Sequence, residues 1–172
     1  PTPQQKQARA KLVSAVDAIR ATDWNAAESH LNSAQQLAPS LTGLDTHLQR
    51  LETERKAYKA LQTARSAAGS DNYQTAIEEA RAVPRSSIYF DEARDLLRRQ
   101  QRARQISQLL AESRQSAKNG DRIEALSSVE QVLKIAPTHS EALQLRHDIK
   151  RGVFGGKPDE LARLPGEEEF YS

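Results

Sequence analysis

The chain has no cysteine and no methionine, only 7 glycines and 7 prolines, and aromatic residues make up just 5% of it. Each scarcity removes a class of answer. Without cysteine there is no disulfide, no thiol nucleophile and no thiolate metal site, and the chain suits a reducing cytosol and a cysteine-free periplasm equally. Few glycines and prolines leave little turn chemistry for hairpins. No run of about 18 apolar residues exists to cross a bilayer as a helix. A surplus of one charge is lacking too, since 25 basic and 23 acidic side chains leave a formal net charge of +2, which does not demand a nucleic acid. The missing methionine, even at the first position, and the opening PTPQQKQ fit an excised or processed segment.

What is present is helix-forming and self-similar. Alanine, leucine, glutamine, glutamate and arginine dominate, so the chain reads as all-α. The stretch Asp23-Trp24-Asn25-Ala26-Ala27 corresponds to Asn72-Tyr73-Gln74-Thr75-Ala76 and to Asp121-Arg122-Ile123-Glu124-Ala125, with an offset of 49 residues both times. Small residues recur in the same register: Ala15, Ala64 and Ser113 before these alanines, and Ala34, Val83 and Val132 after them. Pro39 and Pro137 keep the register as well, whereas the middle proline arrives early, at Pro84. Asp23, Asp121 and either Asn72 or Asp71 are expected to cap helices, with Gly69 and Gly120 ending the helices before two of them. Small residues at the crossing would let two antiparallel helices approach closely.

Apolar spacing places helices at about 4–21, 24–38, 41–68, 72–83, 88–118, 122–136 and 139–151. Two of them are long, with apolar ends and polar middles, ETERKA and RRQQRARQ. Each is expected to finish one unit and start the next. The chain thus reads as one helical domain over 1–151 with an extended or flexible tail over 152–172, whose GEEEFYS end is acidic and aromatic.

The small residue, the alanine twelve later, the small residue seven beyond and the proline after five more resemble the tetratricopeptide repeat. Ala15, Ala27, Ala34 and Pro39 carry the pattern in unit one, and Ser113, Ala125, Val132 and Pro137 in unit three. Trp24 and Tyr73 match the family's frequent aromatic. Lys11 and Ser14 stand where the family has large residues, and the period is 49 instead of the family's shorter one. The resemblance covers roughly residues 8 to 150 and implies an α-solenoid of about three helix-turn-helix units joined by long shared helices. It also implies a non-catalytic protein–protein interaction scaffold that binds a partner peptide or helix in a concave groove. The alanine- and glutamine-rich style fits a bacterial source.

In that family the positions one and five residues after the small crossing residue line the groove. Here they are Val16 and Arg20, Arg65 and Gly69, and Arg114 and Lys118. Arg20, Arg65, Arg114 and Lys118 would make the groove basic and suit a partner with acidic side chains or a free carboxylate. The competing reading pairs Arg65 and Arg114 with acids on adjacent helices. Two other functions stay open: a self-assembling structural component of a larger envelope or secretion complex, and a regulatory domain of an enzyme outside this segment.

No reagent is apparent. GVFGGKP fails as a phosphate loop because Arg151 stands at the required first glycine and Pro158 where a serine or threonine is needed. His30, His47, His139 and His147 form no metal-ligand spacing, no carboxylate pair is singled out for acid–base work, and no cofactor is implied. The run holding Arg94, Arg98, Arg99, Arg102 and Arg104 is expected to be a solvated helix with arginines paired to nearby acids. Trp24 and Tyr73 are expected to pack at the turn.

Overall fold

The computed structural model describes residues 1–153, and the tail expectations and the GVFGGKP cluster lie outside them, apart from Gly152 and Val153. The described residues form seven α-helices and no strand: α1 Pro3–Arg20, α2 Trp24–Leu37, α3 Leu44–Gly69, α4 Tyr73–Arg81, α5 Phe90–Lys118, α6 Arg122–Ile135 and α7 Ser140–Arg151. None is long and apolar enough to cross a membrane. Two compact units divide the chain, Pro1–Gln100 and the part from Gln101 onward, so the division falls within α5.

Local signals place the helix ends. α2, α4 and α6 begin at Trp24, Tyr73 and Arg122, each 49 residues after the last, and α1, α3 and α5 end at Arg20, Gly69 and Lys118 with the same spacing. Three N-cap side chains accept a hydrogen bond from the third helical amide: Asp23 from Ala26 at 3.1 Å, Asn72 from Thr75 at 3.3 Å and Asp121 from Glu124 at 3.1 Å. Between the helices one residue turns left-handed, namely Thr22 (φ 60), Asp71 (φ 56) and Gly120 (φ 82). Gly120 therefore does what its type predicts, while in the middle segment Gly69 remains the last helical residue and Asp71 makes the turn.

Within each hairpin the aligned small residues are the contact. Ala15, Ala27 and Ala34 are 0% exposed, as are Ala64 and Ala76, and Val83 is 3% exposed. In the second unit Ser113, Ala125 and Val132 are likewise 0% exposed, and the Ser113 hydroxyl donates to the Ala125 carbonyl at 2.7 Å. The one polar residue in this series therefore satisfies itself on the backbone it crosses.

The middle segment departs from its neighbours. α4 has 9 residues where α2 and α6 have 14. Pro84 supplies no amide and disfavours helical backbone at the residue before it, so the helix stops at Arg81. A loop then runs to Phe90, and Glu54 in the middle of α3 holds it. The Glu54 carboxylate, 2% exposed, accepts from the Ser87 hydroxyl at 2.7 Å and from the Ile88 amide at 3.1 Å.

Candidate interaction surface

Of the five aromatic side chains among the described residues, three form a row across the first unit. Trp24 at the start of α2 lies 5.6 Å from Tyr58 of α3, ring centre to ring centre, and Tyr58 lies 5.4 Å from Tyr89 before α5, both pairs tilted. Tilted packing is the arrangement that ring quadrupoles favour. All three are half-buried, so each offers an edge to solvent.

Polar side chains spaced three or four residues apart on α3 continue this face. Arg55 Nη2 donates to Glu28 of α2 at 3.3 Å and lies 3.4 Å from the Trp24 carbonyl. Gln62 donates to the Tyr58 hydroxyl at 2.7 Å and accepts from Arg65 at 3.1 Å, and Arg65 is ion-paired with Glu92 of α5. The face thus runs Arg55, Tyr58, Gln62, Arg65, with a carboxylate from a neighbouring helix at each end. Burial pushes the Tyr89 phenol above the ordinary tyrosine value, and the nearby Glu54 carboxylate pushes it further the same way.

The four basic residues singled out from the sequence divide into two kinds. Arg65 pairs with Glu92 and Arg114 with Glu141, so both the cation and its partner recur 49 residues on. These exposed pairs partly neutralise the two guanidinium groups; such pairs are worth about 0.2–1 kcal/mol. Arg20 and Lys118, at the ends of α1 and α5, are exposed and make no ion pair or side-chain hydrogen bond among the described residues. Arg20 and Arg65 belong to the first compact unit, Arg114 and Lys118 to the second.

Three features differ from their sequence expectation. In the basic run of α5 only Arg94 is ion-paired, at 3.5 Å to Asp91 and 3.6 Å to Asp95. Arg98, Arg99 and Arg104 make no ion pair among the described residues: Asp95, one turn before Arg98 and Arg99, lies against Arg94 instead, and no further acid follows on α5 until Glu112. Arg122 takes the place of the aromatic residue in the third segment; it is 3% exposed and donates to the Lys150 carbonyl at 2.7 Å. Glu54 belongs to the polar middle of α3 by sequence, yet it is buried. It lies on the same stripe as Leu51, Tyr58 and Leu61, a position where a carboxylate needs buried donors.

Among the described residues no cluster of three or more histidines or acids is placed to hold a metal ion. Comparison with protein-family models, with curated proteins and with solved structures finds no match to this chain.

Proposed function

We propose that the chain is a non-catalytic protein–protein interaction scaffold of tetratricopeptide-like, three-unit solenoid type, and that it holds a peptide or helix of a partner. The observation that carries this reading is the row Trp24, Tyr58 and Tyr89 flanked by Arg55 and Arg65, in a chain where aromatics are 5% of all residues. Trp, Tyr and Arg are the residues that dominate binding energy at protein interfaces, since they bury large area at small conformational cost. Unpaired Arg20 and Lys118 favour a partner with acidic side chains or a free carboxylate. Arg65 and Arg114 contribute less charge, being already paired.

The test is crosslinking of the tagged full chain in cells of its source, followed by identification of captured proteins, in parallel with Tyr58→Ala. A partner captured by the parent and lost from the folded variant supports the reading. Equal capture by both removes the aromatic row from the interface.

A further inference from the structure

Charge in this chain is divided along its length. Residues 1–153 hold 23 basic and 18 acidic side chains, whereas residues 154–172 hold 2 and 5. Glu167, Glu168 and Glu169 are the only three consecutive acids, and Phe170 and Tyr171 follow them directly.

The complementary surface is on α1. Lys6, Arg9, Val13, Val16 and Arg20 follow one another at intervals of three and four residues, so they share one face of the helix. Lys6, Arg9 and Arg20 are exposed and make no ion pair among the described residues, and neither does Asp17, the one acid of α1. Between these cations Val13 is 63% exposed, the most exposed large apolar side chain of the first unit, and Val16 is half-buried. Ala15 and Ala64 are both 0% exposed and 49 residues apart, so Lys6, Arg9, Val13 and Val16 hold on α1 the places of Arg55, Tyr58, Gln62 and Arg65 on α3. On α3 both arginines are paired, with Glu28 and Glu92, and the tyrosine packs against other rings. On α1 the same places keep unneutralised charge and uncovered carbon.

Such a face suits a short segment in which acids adjoin large apolar side chains, since carboxylates meet the cations while rings cover the valines. Two stretches of the chain set acids beside aromatics. Residues 89–92 are one, but Tyr89 and Phe90 are packed against the core of the first unit. Residues 167–171 are the other. Length agrees as well: Arg9 to Arg20 covers about 16 Å of helix axis, and five extended residues reach about 16 Å.

We infer that the α1 face of one molecule binds residues 167–171 of a second copy. The three glutamates meet Lys6, Arg9 and Arg20, and Phe170 and Tyr171 cover Val13 and Val16. Face and segment are different patches, so the contact runs head to tail from copy to copy. It rests on the reading of the first unit as an interaction surface and names an occupant for its α1 side. Capture by Tyr58→Ala tests that reading separately, and failure of the self-contact leaves it standing.

The absence of cysteine makes the contact directly testable. Full chains carrying Val13→Cys are mixed with full chains carrying Ser172→Cys at about 0.1 mM each, the Kd expected of a short segment on an exposed face, under mild oxidation. The mixed disulfide should exceed its statistical proportion over the two homodimers, and the excess should fade as salt rises. Glu167→Gln with Glu168→Gln and Glu169→Gln in the second chain should weaken the contact about ten-fold, the size of three exposed ion pairs. Phe170→Ser with Tyr171→Ser should weaken it too. All five substitutions lie outside the seven helices, so each variant keeps its helical fold. In sedimentation velocity the parent should grow with concentration through about 0.1 mM, and the triple glutamine variant should stay monomeric. A statistical yield of mixed disulfide, or a parent that stays monomeric at every concentration, overturns the contact between copies. Equal yields from the parent segment and from both substituted segments overturn the assignment to residues 167–171.

Discussion

Glu54 and Tyr89 show how single side chains hold the irregular part of the first unit. The loop after α4 lacks the hydrogen bonds that a last helical turn would have supplied, and one carboxylate on α3 replaces part of them through Ser87 and Ile88. Glu54→Ala strands both donors in a site that is 2% exposed, and should cost about 2–3 kcal/mol in denaturant unfolding. Glu54→Gln, which keeps an acceptor, should cost about half of that. A loss in Glu54→Ala within experimental error of zero would show the anchor to be dispensable. Tyr89 adds a pH dependence at the alkaline end. Its folded pKa is raised above the ordinary 10.0, so folding favours the neutral phenol. That contribution is complete below pH about 10 and is lost as pH rises through the folded value, because the unfolded chain then gives up its proton first. Tyr89→Phe, whose buried hydroxyl has no hydrogen-bond partner among the described residues, should remove this component. The alkaline fall in melting temperature should then be shallower in the variant than in the parent, and identical slopes would contradict the assignment.

At the scale of elements, the helix pairs meet through alanines. Ala76 and Ala125 are 0% exposed at the crossings of α3 with α4 and of α5 with α6. A leucine there adds carbon atoms where no space exists, so Ala76→Leu and Ala125→Leu should each cost about 1–3 kcal/mol. Thermal melts within a degree of the parent for both would refute close crossing at these positions. The helix starts and stops were readable because caps, turn residues and apolar spacing act over a few neighbouring residues. The exceptions have equally local causes. Pro84 shortened α4 by more than its position in the sequence had indicated, since the residue before proline also leaves the helix. α3 starts at Leu44 instead of 41 because Gly43, at φ 92, turns the chain first.

Across the molecule, charge is sorted by element. α1 holds Lys6, Arg9, Lys11 and Arg20 against the single acid Asp17, whereas α2 and α4 carry more acid than base. The near-neutral total therefore hides cationic helices that long-range attraction to an acidic partner would use. Charge reversal at the unpaired positions, Arg20→Glu with Lys118→Glu, should leave the melting temperature near the parent's, since no ion pair is broken. It should weaken capture of an acidic partner and flatten its dependence on salt. Arg65→Glu with Arg114→Glu differs, because it sets glutamate against Glu92 and Glu141 and should lower stability as well. Unchanged capture by both folded double variants would exclude the basic positions from the interface.

Composition and a 49-residue periodicity determined by themselves that this chain is helical, where α2, α4 and α6 begin and which small residues lie between the paired helices. Those features depend on backbone propensity and on spacing along one chain, both of which are written in consecutive residues. The tertiary structure alone decided that Arg65 and Arg114 each meet a glutamate 27 residues further on. It also decided that Trp24, Tyr58 and Tyr89 share one face and that Glu54 is buried. Each of these depends on which faces of distant helices are brought together, and a side chain's neighbours across a helix interface have no fixed spacing in sequence.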